Sequence, residues 1–419
     1  MRILFLSHYF PPEVNAPASR TLEHCREWVR AGHQVTVVTC APNHPRGEVY
    51  SGYRNRLFQR EAMDGIEIVR VWSYLAANEG FAKRTANYVS YMLMAILVAP
   101  WLARTDIVIS TSPQFFNGLA GYPISRLKRV PWVLEIRDLW PESILAVGAI
   151  RNLRVIRVLE WLEMFAYRKA DRIVPVTDAF KDYMVDKGVA EAKIEVIKNG
   201  VDLQRFQAAL KDEALVEELG LGGKFVASYF GTHGMAHHLE TILDAAELLR
   251  EHADIVFLLV GDGAERERLW HEKEQRRLSN VIMLAQQPKE RMPALWAASD
   301  VSLVLLRKSE LFKTVIPSKI FESMAMQRPI LLGVDGEARQ IVEQAGAGLF
   351  CEPENAQSLV DGLVRLRDDA ALCESMGAAG RRCVSQNFNR SVLAGRFAQL
   401  LRDTVAARKA GKPDFSGTA

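Results

Sequence analysis

The sequence contains no CxxC pair and no run of Cys and His at metal-ligand spacing. Its five cysteines, Cys25, Cys40, Cys351, Cys373 and Cys383, are scattered. This argues against a disulfide scaffold or structural zinc site and suits a reducing cytosol. Charge of one sign is also lacking. The 53 Lys and Arg nearly balance 50 Asp and Glu, leaving +3, and no basic motif interleaved with aromatics marks a nucleic-acid binder. Composition is ordinary, which excludes collagen, coiled coil and wholesale disorder. The opening MRILFLS is too short an apolar run for a signal peptide. No GxGxxG follows the first strand-like run, and the second ends Val37-Val38-Thr39-Cys40 without an acidic residue. Both absences count against an NAD(P) oxidoreductase. Long apolar runs are nearly missing too. Residues 85–103 carry no charge, close to the ~20 residues that span a bilayer. Asn87, Ser90 and Pro100 dilute them, so they are expected to form a helix on a sheet that touches the membrane interface without crossing it.

What is present is alternation. A chain of 419 residues exceeds the roughly 250–300 that one core accommodates, so two domains are expected. Short β-branched runs fall at 3–6, 34–39, 66–71, 107–110, 132–136 and 173–176. A second set falls at 225–230, 255–260, 281–284, 301–305, 329–332 and 348–350. Helical periodicity lies between them, so the fold class is α/β. Near-continuous apolar strands joined by helices make parallel sheets covered on both faces, here two doubly wound, Rossmann-like domains. The predicted boundaries are 1–198 and 199–387, with a helix at about 388–408 returning to the first domain and a disordered tail at 409–419. Residues 1–172 hold 22 Lys and Arg against 15 Asp and Glu, which suits a first half that faces an anionic surface or ligand.

Ligands of such sheets sit beyond the carboxyl ends of the strands. After the first strand, Asn15 and Arg20 flank the start of a helix that offers backbone N–H groups to an anion. After the fifth, residues 135–142 (EIRDLWPE) pack four charges and a Trp into eight positions. There Asp138 is placed to accept a proton or a sugar hydroxyl, and Arg137 to neutralise a phosphate; a structural Arg–Asp pair is the competing reading. In the second half, Gly231 with His233, and Gly261 with Gly263, follow strands where a ligand can approach the backbone. His233, His237 and His238 lack a carboxylate or Cys to complete a metal set. Residues 313–330 open a helix at Pro317 and Ser318, with Lys319 adding charge and Glu322 one turn on. That combination suits a nucleotide carrying a diphosphate and a ribose.

The order of these segments resembles the retaining GT-B glycosyltransferases of family 4. The matching pieces are Phe10-Pro11-Pro12, Gly32-His33-Gln34-Val35, Asn199-Gly200-Val201-Asp202 with Phe206, Gly261-Asp262-Gly263, Ala298-Ser299-Asp300 and Pro317-Ser318-Lys319-Ile320-Phe321-Glu322. They run from Ile3 to about Phe397. The string Arg137-Asp138-Leu139-Trp140-Pro141-Glu142 is similar to the branch with bacterial O-antigen and capsule enzymes, including N-acetylfucosamine transferases.

The resemblance implies the GT-B fold, two domains facing a central cleft, with no metal or other cofactor. It also implies a nucleotide-sugar donor, usually UDP-linked, bound mainly by the second domain. Glu322 would hold the ribose, and Pro317 and Ser318 would place amides at the diphosphate. Gly231, His233, Gly261, Gly263, Thr314 and Lys319 complete the expected donor set. Asn15, Arg20 and Trp140 are the expected acceptor contacts, and Asp138 and Arg137 the expected catalytic pair. The sequence departs from the pattern in four places. Thr314 stands where the E-x7-E motif has its first Glu, and the Arg and Lys after the Gly231 strand are absent. Asn15-Ala16 replaces a Gly-Gly, and no His ends the fifth strand. The expected acceptor is a polyprenyl-diphosphate-linked sugar or an oligosaccharide, placing the protein in the cytoplasm, peripheral on the inner membrane face. Competing readings are a nucleotide-sugar 2-epimerase or hydrolase, or a non-catalytic sugar-nucleotide-binding subunit.

Overall fold

A computed structural model of the chain describes residues 1–44, 46–76, 81–146 and 152–411. It divides into two units. The N-terminal unit is Met1–Lys198 with Arg390–Ala419, and the C-terminal unit is Asn199–Asn389.

The strands of the N-terminal unit are β1 (Arg2–Leu6), β2 (Gln34–Cys40), β3 (Phe58–Met63), β4 (Ile66–Val71), β5 (Ile107–Thr111), β6 (Trp132–Ile136) and β7 (Arg172–Pro175). They form one sheet in the order β3-β4-β2-β1-β5-β6-β7. All pairs are parallel except β3 with β4. The strands β1, β5 and β6 are buried nearly throughout, as sheets covered on both faces require. The antiparallel β3 departs from the all-parallel expectation. Asp64 and Gly65 both take positive φ, 52° and 78°, the geometry of a tight hairpin turn. Its strand, FQREAM, alternates exposed and half-buried residues, so its weak apolar content hid it.

One helical layer of this unit contains α2 (Phe81–Val98), α3 (Phe115–Lys128) and α5 (Leu153–Lys169). The sheet is also flanked by α1 (Ala16–Arg30), and a short α4 spans Glu142–Ala146. The uncharged run expected at 85–103 forms α2 and a following 3-10 turn, Ala99–Trp101. Among the described residues no helix is long and apolar enough to cross a membrane.

The final helix, Arg390–Lys409, packs on α1. The Trp28 indole donates to the Ala394 carbonyl at 2.9 Å, and the Phe397 ring meets Trp28 edge-on with centroids 5.3 Å apart. Lys409 is therefore helical, not part of a loose tail. The rest of that expected tail, from residue 412, lies outside the described residues.

The C-terminal unit contains β8 (Phe225–Phe230), β9 (Ile255–Val260), β10 (Val281–Leu284), β11 (Val301–Leu305), β12 (Ile330–Gly333) and β13 (Gly348–Phe350). Its order is β10-β9-β8-β11-β12-β13, with every pair parallel. The order reverses between β8 and β11, the switch point at which such sheets bind ligands.

Phe397 is fully buried against Trp28 and His24. Phe397→Ala is expected to lower stability by about 3–5 kcal/mol. Urea unfolding followed by tryptophan fluorescence measures it.

Candidate functional site

In the N-terminal unit the charged string after β6 separates into framework and surface. Glu135 is fully buried and accepts from Arg20 Nε at 2.8 Å and Thr111 Oγ1 at 2.6 Å. Burial pushes its carboxyl upward, but the Arg20 and Arg137 guanidiniums outweigh this and hold it below the usual range. Arg20 also donates to the carbonyls of Ile197 and Lys198, both at 3.0 Å. Its guanidinium is thus enclosed, correcting the expectation that Arg20 faces an acceptor. A charged side chain buried between a carboxylate and two carbonyls is spent on the fold. Asn15 is likewise a cap: its side-chain oxygen accepts from Ala18 N at 2.9 Å.

Arg137 and Asp138 follow β6 and are half-buried. Both backbone N–H groups donate to Ser112 Oγ, at 2.6 and 3.2 Å. The Arg137 side chain reaches the Pro17 carbonyl at 3.2 Å and leaves its buried Nε without a hydrogen-bond partner. Desolvation lowers its pKa to about 9. Desolvation raises Asp138 to about 6, opposed by bonds from Ser143 and the Leu139 backbone. The Arg137–Asp138 pair of the competing reading is not seen, because each side chain has other partners.

Asp138 borders a small concavity shared with Ser112, Phe115, Trp140, Glu163 and Tyr167. Trp140 is buried and stacks on Phe115 at 5.8 Å, so it shapes a wall. Glu163, unremarked in the sequence, is raised to about 7 by burial and by Glu142, against Lys187. It accepts from Tyr167 at 2.8 Å and from Lys187 at 3.0 Å. Its signal was a carboxylate within the apolar stripe of α5, between Leu159 and Ala166.

In the C-terminal unit the pieces expected at a donor come together. Gly231 follows β8; Gly261 and Gly263 follow β9. A Cβ at Gly261 would lie 1.8 Å from the Gly231 carbonyl oxygen, and one at Gly263 would lie 2.4 Å from that of His233. Only glycine permits these backbones to pack together. A Cβ at Gly231 would come within 3.0 Å of Lys319 Nζ, so the lysine head lies over that loop. Lys319 Nζ also stands 3.6 Å from the centre of the Tyr229 ring.

Four nitrogens here are buried with no hydrogen-bond partner: Lys319 Nζ, Arg266 Nε and both ring nitrogens of His233. Such groups are costly unless a ligand completes them. Burial brings Lys319 down to about 7, with Glu322 opposing. His233 falls to about 4 through burial and then through Lys319 and Arg266, so its ring is neutral at pH 7. His237 falls to about 3, again through burial. Arg266 opens the helix Arg266–Gln275 and was not singled out in the sequence. A cation in the first turn of a helix opposes the dipole there, and that was the available signal.

Pro317 and Ser318 precede the helix Lys319–Ala325. Its first internal bond is Ile320 N to Pro317 O at 3.1 Å. The Ser318 and Lys319 amides come before that bond. The Ser318 hydroxyl makes no capping bond. Its own φ and ψ, −61° and −24°, are already helical. Thr314 donates to Leu311 O at 2.6 Å, closing its own turn. His238 pairs with Thr241 Oγ1 at 2.9 Å. Among the described residues no group of three or more His, Cys, Asp or Glu is placed to hold a metal ion.

Residues 15–200 match the family described as Glycosyl transferase 4-like domain, and residues 212–383 the family Glycosyl transferases group 1. WcaI of Escherichia coli strain K12, provisionally named a colanic acid biosynthesis glycosyl transferase, is 26% identical over 87% of this chain and 91% of its own. The UDP-Gal:alpha-D-GlcNAc-diphosphoundecaprenol alpha-1,3-galactosyltransferase of Escherichia coli is 27% identical over 72% of this chain and 76% of its own. Among solved structures, HepE from Anabaena in complex with UDP-glucose superposes with a TM-score of 0.72 at 18% identity, covering 96% of this chain and all of that one.

Arg20→Met strands the buried Glu135 carboxylate and is expected to destabilise the N-terminal unit by about 3–5 kcal/mol. Any nucleotide binding by the chain should be unchanged. Chemical denaturation beside nucleotide titration separates the two effects.

Proposed function

The chain belongs to the glycosyltransferases of the GT-B fold, and on that premise we propose that it moves a sugar from a nucleoside-diphosphate sugar to a lipid-linked or oligosaccharide acceptor in surface-polysaccharide assembly. The observation that carries the donor half is the cluster of unpartnered nitrogens on Lys319, Arg266 and His233 around Gly231, Gly261 and Gly263. Two cations without carboxylate hydrogen bonds, beside a backbone that tolerates no side chain, suit a diphosphate. Lys319 and Arg266 thereby take the place of the cations that the sequence lacks after Gly231. Glu322 is proposed to hold the ribose.

In this reading the leaving diphosphate gathers negative charge as the glycosidic bond breaks. Lys319, Arg266 and the amides of Ser318 and Lys319 stabilise it in place, without reorganising water. No metal is required by this scheme. His233, neutral at pH 7, donates one hydrogen bond and adds no charge. The donor is proposed to be UDP-linked and to carry an N-acetylated sugar, with the anomeric configuration retained. The galactosyltransferase relative, whose name gives a UDP-sugar donor and a diphosphoundecaprenol-linked acceptor, supports a similar chemistry here. In the N-terminal unit, Asp138 is proposed to take the acceptor hydroxyl's hydrogen bond, with Arg137 beside it and Trp140 shaping the wall. Reaction at the cytoplasmic face of the membrane follows from a polyprenyl-linked acceptor.

A thermal-shift screen of nucleoside-diphosphate sugars, followed by nucleotide release with polyprenyl-diphosphate-linked sugar, tests the proposal. Stabilisation by one such donor, with release only when acceptor is added, is expected. Donor turnover without acceptor would point to an epimerase or hydrolase instead.

Two sharper outcomes are expected. Lys319 is about half neutral near pH 7 in the free protein and must be protonated beside a diphosphate. Binding therefore takes up a proton, and affinity for UDP-glucose, which has no titration of its own here, falls as pH rises above 7. The slope approaches tenfold per unit. Lys319→Met should weaken binding and flatten that dependence, as calorimetric titration would show. Asp138→Asn should lower kcat by roughly 10²–10⁴-fold, with the donor's thermal shift unchanged.

A further inference from the structure

One helical layer of the N-terminal unit presents a surface that the proposed transfer does not account for. Its members touch: α2 packs on α3 and α3 on α5. Tyr122 of α3 meets Phe165 of α5 edge-on at 5.1 Å, and Lys128 at the end of α3 donates to the carbonyls of Leu102 and Ala103, at 3.1 and 3.3 Å. Helix α2 turns Tyr88, Tyr91, Ala95 and Val98 inward. Outward it shows Leu93 and Leu97, each 57% exposed, followed by Trp101 at 68%. Leu127 in the last turn of α3 and Val158 and Trp161 on α5 are more than half exposed as well. Leu159, Leu162 and Ala166 make the packed side of α5, and its exposed side carries Val158 and Trp161.

The charges on this layer are almost all of one sign. Neither α2 nor α3 contains an acidic residue. Helix α5 has two: Glu163, which is buried on Lys187, and Glu160, half-buried. Arg104, Arg126, Arg129, Arg154 and Arg157 are exposed among or beside the apolar groups. A large exposed apolar surface marks a docking site. Intermixed arginines without acidic partners match a layer of phosphate headgroups over hydrocarbon. A protein partner would have to supply a one-sided acidic surface of the same extent.

We propose that the outer face of α2, α3 and α5 docks on an anionic phospholipid leaflet. Leu93, Leu97, Trp101 and Trp161 enter the acyl boundary, and Arg154 and Arg157 lie against lipid phosphates. The face stands on its own surface chemistry; its use in catalysis rests on the lipid-acceptor reading above.

The test is flotation of the full chain with vesicles of equal parts phosphatidylglycerol and phosphatidylcholine, beside vesicles of phosphatidylcholine alone. Wild type should float with the anionic vesicles and be released by high salt. Leu93→Ser/Leu97→Ser/Trp101→Ser should lower the bound fraction by about tenfold or more. Arg154→Gln/Arg157→Gln should lower it several-fold and reduce its salt dependence. Both variants are first shown to elute as wild type and to keep its melting temperature, so loss of fold is excluded. Absence of flotation by wild type, or flotation of the apolar variant equal to wild type, overturns the proposal. So does a wild-type dimer in light scattering that Leu93→Ser/Leu97→Ser dissolves, since a second copy would then cover the face. A nucleotide-sugar titration on the same samples separates the claims. Flotation without donor binding removes the transferase reading and leaves the docking face, and the converse result does the opposite.

Discussion

A parallel strand buried on both faces has no place for charge along its length, so polar chemistry collects beyond its last residue. Strands β8 and β9 are apolar and buried to their ends, and the residues that follow them, Gly231 and Gly261, are where the chain first becomes adaptable. The same constraint acts at β6, whose only charge, Glu135, is enclosed by Arg20 and Thr111. Beyond it, Arg137 and Asp138 are free of the sheet. Each unit thus gathers polar residues at one edge, set by the direction of its strands, and such edges are where ligands of these sheets bind.

On the edge proposed to hold the donor, packing does more than supply residues. The glycines let the loops after β8 and β9 lie against each other, and this leaves Lys319 against the Tyr229 ring without a hydrogen-bond partner. A cation held dry over an aromatic face is stabilised only in part, and desolvation draws its pKa towards neutrality. In the proposed reading a bound anion restores the charge that burial removes. His233 beside it remains neutral for the same reason, so the site need not accommodate three positive charges at once.

Much of this was legible in the sequence, and what was not has physical causes. All twelve apolar strand runs became strands because continuous burial leaves an unambiguous signature. The hairpin strand β3 did not show, since an edge strand need not be apolar; only Asp64-Gly65 announced it. The charge-rich string at the end of β6 marked where polar residues leave the sheet, yet sequence spacing cannot say which side chain turns inward. Arg20 and Asn15 were therefore read as contacts when one is a buried ion-pair partner and the other a helix cap. Arg266 and Glu163 were missed because each looks like an ordinary helical charge until its burial is known. The uncharged run at 85–103 was recognised as a helix, but its exposed stripe required the structure.

The central claim is that Lys319 is a desolvated lysine, about half neutral near pH 7, that a diphosphate recharges. Calorimetry of UDP binding at pH 8, repeated in two buffers of different ionisation enthalpy, reads it directly. At that pH the free lysine is mostly deprotonated and UDP fully ionised. The account predicts uptake of close to one proton for each nucleotide bound, abolished in Lys319→Met. Binding with no proton uptake in wild type, or with the same uptake in Lys319→Met, would contradict it.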